Sequence, residues 1–266
     1  MKTFTVKQNT TLKQFTDDNY PQGSFVFSSL LKRRDIKVNG KKTAQNINLF
    51  CGDTVVYYTT AKEESKPSHI KVFEDENIYV ADKYSGVSFE ALLSELSENG
   101  AIFGVHRLDR NTEGLLVFAK TEEAQKGLIN EFKAGKVYKK YIALLKNSFK
   151  VKEAKLTAYL LKDGKSSTAK IYDNRIEGSV KIETEYKVLE ERGDIALAEI
   201  ILHTGKTHQI RAHMAHIGCP VLGDEKYGDR LLNEKYSKKR QCLVSKVLKF
   251  SLADKQYGEF ISSFNL

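Results

Sequence analysis

The densest run of chemically able side chains is Val105-His106-Arg107-Leu108-Asp109-Arg110-Asn111-Thr112, a polar loop feeding directly into the apolar run Gly114–Ala119. Asp109 has arginines close by on either side in sequence, and nearby positive charge favours the carboxylate anion. Such an anion suits a nucleophile or an electrostatic catalyst. A loop ion pair gives the same pattern, and spacing alone does not separate the two. A second cluster, LHTGKTHQIRAHMAHIGCP at residues 202–220, follows a long apolar run that ends in a glycine turn. A short helix is predicted to begin near His208 and to stop at Gly218 and Pro220. His213, His216 and Cys219 recur at i, i+3 and i+6, but a zinc site wants a fourth ligand, and none stands nearby at a recognisable spacing. Gly205-Lys206-Thr207 is not a phosphate-cradling loop either, because Ile200 stands where that motif needs its first glycine. The third element, Lys136 to Ala143 (KVYKKYIA), interleaves basic and aromatic residues as a strand begins. Aromatic stacking with cations on flanking phosphates is how extruded bases are commonly held. A half-buried tyrosine beside edge lysines that discourage sheet aggregation reads the same way.

The elements that must position these residues are mostly strands. Strand-like runs occur at 78–81, 114–119, 141–145, 184–189 and 195–202, and helical patterns chiefly at 89–96 and 122–132. The helices are too few and too irregularly spaced for a parallel βαβ repeat. The fold class is therefore α+β, with a mixed, mainly antiparallel sheet flanked by helices and loops. Ahead of it lies a small α+β module: a short helix in FVFSSLLKRR, a strand at 36–38 closed by Asn39-Gly40, and a strand at 54–58. The charged, Ser/Pro-containing stretch that follows is read as a linker. The expected organisation is residues 1–62 as a small basic domain, 63–69 as linker and 70–266 as the larger domain.

Composition limits what this chain can be. With 266 residues, 41% hydrophobic and 29% charged, it is long enough for a sizeable core and unlike disordered or fibrous sequences. No apolar stretch is long enough to span a bilayer and the first residues lack a secretory signal, so a cytoplasmic protein with no membrane association is expected. Cys51, Cys219 and Cys242 are too few and too scattered for a disulfide framework or a metal site and are read as reduced thiols. The net charge of +9 suggests a polyanionic partner, and +6 of it falls in residues 1–62, which hold ten Lys and Arg against four Asp and no Glu. A basic module that brings a larger domain to nucleic acid has this asymmetry.

Taken together, the three elements resemble the RluA-type family of RNA pseudouridine synthases. HRLDRNTEGLLVFAK is similar to that family's catalytic motif, KKYIALL to its tyrosine motif, and LHTGKTHQIRAHMAHIGCPVLGDEKYG to its arginine-containing third motif, with the tyrosine 32 residues after the aspartate. The resemblance covers about residues 70–252, including a weaker tail, RQCLVSKVLKF. Residues 12–58, through SSLLKRRDIKVNGKKT and CGDTVV, resemble the small RNA-binding domain named after ribosomal protein S-four. The chain departs from the larger family's pattern at Lys83-Tyr84-Ser85-Gly86, at Glu113 and at Val244. None of these touches the aspartate, the tyrosine or Arg211.

The resemblance implies isomerisation of uridine within ribosomal or transfer RNA, ribosomal favoured, with no cofactor, no metal and no required protein partner, by a monomer. It implies that Asp109 is the essential carboxylate, that Tyr141 stacks on the flipped uracil, and that Arg211 pairs with Asp109. Arg107 would fill the gap left by the flipped base or hold a phosphate. His106, Arg110, Lys206, His208 and Gln209 join it as substrate contacts, and Lys32, Arg33, Arg34, Lys37, Lys41 and Lys42 as RNA contacts of the small module. Two rival readings are a non-catalytic RNA-binding or ribosome-assembly protein and a metal-dependent hydrolase using His208, His213 and His216. An aspartate, tyrosine and arginine all kept in place argue against a pure binder.

Overall fold

The computed structural model describes residues 1–98, 100–163, 168–253 and 255–266. The first part of the chain builds a small sheet from β1 (Lys2–Thr5), β3 (Ile36–Val38), β4 (Lys41–Thr43) and β6 (Thr54–Tyr57), in the order β1-β6-β3-β4, with β2 (Thr10–Thr11) and β5 (Asn48–Leu49) paired beside it. Helices α1 (Leu12–Asn19), α2 (Pro21–Phe25) and α3 (Phe27–Arg33) lie between β2 and β3 in sequence. Thr11 caps α1 by accepting the Gln14 amide, so the helix starts where its apolar side chains Leu12 and Phe15 begin. Those two pack with Leu30, Ile36, Val55 and Tyr57 into a core of their own. The predicted strands at 36–38 and 54–58 are present, the second ending at Tyr57. A helical turn, α4 (Ala61–Glu64), held by a reciprocal cap between Thr60 and Glu63, runs into the stretch 63–69 read as a linker.

The second sheet comprises, among the described residues, eleven strands. They are β7 (His69–Glu74), β8 (Ile78–Lys83), β9 (Phe103–Gly104), β10 (Glu113–Ala119), β11 (Tyr138–Lys146), β12 (Glu153–Asp163), β13 (Thr168–Tyr172), β14 (Val180–Arg192), β15 (Ile195–Leu202), β16 (Leu243–Leu252) and β17 (Lys255–Ile261). The order is β13-β12-β14-β15-β11-β16-β10-β8-β7, with β17 on β16 and β9 on β10. Among the described residues only β10 and β16 run parallel, so the sheet is mixed and mainly antiparallel, as expected from the sequence.

Both faces of this sheet are covered, and the two-residue period of a strand decides what goes where. On β10, Leu116 and Phe118 face one core together with Tyr141, Ala143, Ile200, Ile210 and Met214. Leu115, Val117 and Ala119 face the other, with Ala124, Leu128, Leu248 and Phe250. Helix α5 (Phe89–Ser97) and helix α7 (Gln209–His216) serve the first face. Helix α6 (Glu122–Lys133), capped by Thr121, buries Ala124 and Leu128 on the second. A short α8 (Arg230–Lys235) precedes β16. Neither β12, β13, β16 nor β17 is among the strands read from the sequence. Of these, β16 matters most, because it threads between β10 and β11 at the centre of the sheet and sets the spacing between the Asp109 loop and Tyr141. Gly114 permits this: its φ is +110°, and a Cβ there would stand 2.3 Å from the Ser245 carbonyl oxygen.

Candidate active site

The loop 105–112 ends where β10 begins, and its shape is fixed by bonds at both ends. The Thr112 amide donates to the Asp109 carbonyl at 3.1 Å, and Gln241 donates its side-chain amide to Thr112 Oγ1 at 2.7 Å. Leu108 is buried beneath, so Asp109 is turned outward, its side chain 21% exposed. Tyr141 lies within β11 just after its register with β16 shifts at a bulge between Lys140 and Tyr141. Such a bulge re-aims a side chain next to a site. Arg211 projects from α7, whose preceding residue, His208, takes up a left-handed conformation (φ +58°) to turn the chain from loop into helix.

These parts meet at a cleft of about 510 Å3 whose lining includes Asp109, Tyr141, His208 and Arg211. That volume lies within the range of small-ligand pockets. Arg211 bridges two carboxylates. Its Nη1 donates to Asp109 Oδ2 at 2.8 Å, while Nε and Nη2 grip Asp224 Oδ2 and Oδ1 at 2.6 and 2.9 Å. Burial works against the guanidinium's charge, but Asp224 and then Asp109 outweigh it and raise the Arg211 pKa. Burial likewise opposes the Asp224 charge. Arg211, with the amides of Lys226 and Tyr227, still holds that carboxyl below the usual range. The result is a planar clamp that presents one N–H to Asp109 in a fixed direction.

Around this centre the environment is buried on one side and basic on the other. Burial pushes the Tyr141 phenol up to about 12, so it stays protonated at neutral pH. His208 stands with Nε2 3.8 Å from Asp109 Oδ2 and Nδ1 2.9 Å from the Tyr227 hydroxyl; burial lowers its pKa and keeps the imidazole neutral at pH 7. Lys139, itself buried and with its pKa lowered by that burial, lines the cleft and lies over the Phe132 ring. Lys133, His203 and Lys206 line the cleft as exposed groups.

The remaining sequence-predicted residues divide by what they touch. Arg107 lies at the cleft, exposed, and pairs with Glu90 at 3.1 Å. His106 accepts the Val117 amide at Nε2 and stacks on Phe132, and burial drops its pKa to about 3, so it braces the loop as a neutral ring. Gln209 spends all its amide capacity on the protein. Oε1 accepts Thr204 Oγ1 and the Lys206 amide, and Nε2 donates to the Glu183 carbonyl and Thr184 Oγ1. Arg110 turns away from the cleft altogether and bonds to Gly86, Asp17 and Ser24. In the small module Lys32, Arg34, Lys41 and Lys42 are exposed, Lys37 lies over Tyr58, and Arg33 is already paired with Asp35 and Glu63. His213 and His216 diverge onto Thr184 and Asp173, so they do not meet as ligands.

Three contributors were not singled out from the sequence. Asp224 and Tyr227 sit in the stretch GDEKYG, whose acidic residue beside a turn glycine is a weak signal for a partner of Arg211. Lys83, wholly buried, donates to the carbonyls of Tyr84, Val87 and Arg110, and so ties β8 to the loop 105–112.

Residues 64–216 match the family described as RNA pseudouridylate synthase. Among relatives, an RNA pseudouridine synthase of Aquifex aeolicus is 33% identical over 244 residues, covering 82% of this chain and 76% of that protein. The ribosomal large subunit pseudouridine synthase C of Salmonella typhimurium is 30% identical over 84% of this chain and 78% of its own length. The ribosomal large subunit pseudouridine synthase D of Borreliella burgdorferi is 29% identical and covers 98% of this chain and 88% of its own. Among solved structures, human RNA Pseudouridylate Synthase Domain Containing 1 shares the fold, with a TM-score of 0.64 at 23% identity over 74% of this chain and 83% of that one. With a carboxylate, a tyrosine and a clamped arginine gathered in one cleft inside the matched region and its near surroundings, this chain belongs to the RNA pseudouridine synthases of the RluA type.

Proposed function

We propose that this enzyme isomerises uridine in ribosomal RNA of the large subunit, with Asp109 as its essential carboxylate. The observation that carries the assignment is the Arg211 clamp, which points one N–H at Asp109 beside the Tyr141 ring. In the reaction the N1–C1′ bond breaks, the uracil turns over, and C5 bonds to C1′. The C5 proton then leaves and N1 takes one up, so atoms and electrons balance without an oxidant. Positive charge develops at the anomeric carbon as the bond breaks, and Asp109 is the carboxylate placed to meet it. Tyr141 offers an apolar ring face on which the freed base can turn, and its protonated hydroxyl is a hydrogen-bond donor there.

Residues 1–62 form, on this reading, an RNA-binding domain of the S-four type that adds affinity through exposed Lys32, Arg34, Lys41 and Lys42. The ribosomal preference is supported by the names of the Salmonella and Borreliella relatives. Asp109→Asn removes the anion while keeping the shape. The variant is expected to form no pseudouridine when incubated with unmodified large-subunit ribosomal RNA and analysed nucleoside by nucleoside. Normal turnover by this variant would overturn the role of Asp109, and turnover of wild type on transfer RNA alone would overturn the substrate.

A further inference from the structure

Arg110 follows Asp109 in the chain, yet its guanidinium leaves the cleft and enters the small N-terminal unit. Nε donates to the Gly86 carbonyl at 3.1 Å, Nη1 to Asp17 Oδ2 at 2.6 Å, and Nη2 to Ser24 Oγ at 2.9 Å. Asp17 belongs to α1 and its side chain is only 8% exposed. Its other oxygen accepts Ser24 Oγ at 2.6 Å and pairs with Lys13. The Asp17 backbone carbonyl takes a further bond of 2.7 Å from Ser88 Oγ, the residue that also caps α5 through the Ala91 amide. On the catalytic side, the Arg110 carbonyl accepts Lys83 Nζ and the Gly86 amide. Asp109 itself is thus held by Arg211, and the residue after it by a carboxylate some ninety residues earlier.

A module that only recruits RNA has no need of this arrangement. A shielded carboxylate that takes an arginine, a lysine and a serine at once is a rigid anchor, because losing any partner leaves buried polarity behind. Asp17 also occupies the cation nearest in sequence to Asp109. We propose that Asp17 is a positioning residue for the isomerisation: through Arg110 the N-terminal unit completes the scaffold of the catalytic loop and sets the rate of the chemical step, beyond any contribution to RNA affinity.

The proposal rests on the pseudouridine-forming activity and is tested on the full chain. Large-subunit ribosomal RNA transcribed with [5-3H]uridine releases tritium as C5 loses its hydrogen, and single-turnover rates at rising enzyme concentration separate binding from chemistry. Asp17→Asn is expected to lower the saturating rate at least tenfold while the half-saturating concentration stays within threefold. Arg110→Gln should do the same, and Asp17→Asn/Arg110→Gln should be no slower than the slower single variant, since the two act through one link. Asp17→Glu, which keeps the charge, should recover part of the rate. A rate unchanged with weakened half-saturation, or fully additive losses, would overturn the proposal.

Hydrogen exchange supplies a readout independent of turnover and of the RNA chosen. In Asp17→Asn the Gly86 and Thr112 amides should exchange at least tenfold faster while those of β6 keep their protection. Retained protection at Gly86 and Thr112 overturns the link even if the RNA proves not to be a substrate. A wild type that releases no tritium from this RNA overturns only the substrate assignment. Should Asp17→Asn not fold, Arg110→Gln leaves Asp17 with Lys13 and Ser24 and decides the question by both measurements.

Discussion

Asp224→Asn is the most informative single change, because the Asp224 carboxylate stays out of the cleft and reaches it through the Arg211 guanidinium and the Tyr227 amide. The native carboxylate is fully buried and accepts four bonds: two from Arg211 at 2.6 and 2.9 Å and two from the amides of Lys226 and Tyr227 at 2.8 and 3.1 Å. Asparagine keeps the shape but puts an NH2 where one of those oxygens accepts, so at least one charge-assisted bond, worth about 1.5–3 kcal/mol, is lost. The Arg211 side chain, 9% exposed, is then left with Asp109 as its remaining charged partner. Breaking a buried pair in this way costs about 3–5 kcal/mol, a large share of the roughly 5–15 kcal/mol of an ordinary fold. Urea unfolding followed by linear extrapolation should show a loss of that size. The catalytic effect follows from direction, since an unclamped guanidinium no longer holds its N–H on Asp109. Losing the equivalent of one charge-assisted bond in the transition state, about 2–3 kcal/mol, corresponds to a fall in kcat of roughly 30- to 150-fold. KM should move little, because Asp224 does not line the cleft. A variant with stability within about 1 kcal/mol and kcat within threefold of wild type would refute the argument that Asp224 orients the Arg211 clamp.

Two further outcomes are expected. Asp75 accepts Lys255 Nζ at 2.7 Å, the Tyr257 hydroxyl at 2.9 Å and the Ile78 and Asn77 amides. Burial opposes its charge, but these partners bring its pKa down to about 2, below the ordinary 3.8 of the unfolded chain. The stabilisation is therefore full above about pH 4 and lost as pH falls through about 2. Screening by solvent trims it to the order of 1–2 kcal/mol, so urea midpoints of wild type and Asp75→Asn should differ at pH 6 and converge at pH 2. Replacing Lys32, Lys41 and Lys42 together by alanine should flatten the slope of log affinity against log salt by about 2, at roughly 0.7 per phosphate contact on single-stranded RNA. An unchanged slope in a filter-binding titration would remove those lysines from the RNA face.

Legibility followed the range of the forces involved. Strands such as β10 and β15 were readable because each has a single charged residue, Glu113 and Glu199 respectively, and is otherwise mostly apolar, and α6 because a cap, an acidic first turn and a four-residue apolar period agree. By contrast, β12 (EAKLTAYLLKD) carries charged residues and looks like an exposed segment until β13 and β14 pair with it. Its existence is a property of the sheet. The centre of the sheet was the least readable part, since β16 comes near the end of the chain and inserts between strands formed from residues 113–119 and 138–146. Nothing local in LVSKVLKF states that these two neighbours lie a hundred or more positions earlier. The site shows the same division. Asp109, Tyr141 and Arg211 stand in dense motifs, whereas the groups that hold them, Asp224, Lys83 and Asp17, are single residues whose partners are set by packing.

The charge asymmetry read from the sequence takes on a different meaning once partners are assigned. Counting cations treats every lysine and arginine as available to RNA, but several arginines are engaged inside the protein. Arg211 holds two aspartates, Arg110 holds Asp17, and Arg33 holds Asp35 and Glu63. A flat guanidinium with five fixed donors suits such joints, whereas a lysine's flexible stem and compact, well-hydrated charge suit a mobile phosphate contact. Exposed lysines around the cleft, Lys133 and Lys206, and on the small module, Lys32, Lys41 and Lys42, fit that second role. Net charge alone thus overstates how much of the basic balance meets RNA. Of the carboxylates that subtract from the count, Asp17 holds Arg110 and Asp224 holds Arg211, so neutralising either would make the protein more basic and, on the proposed mechanism, a poorer enzyme.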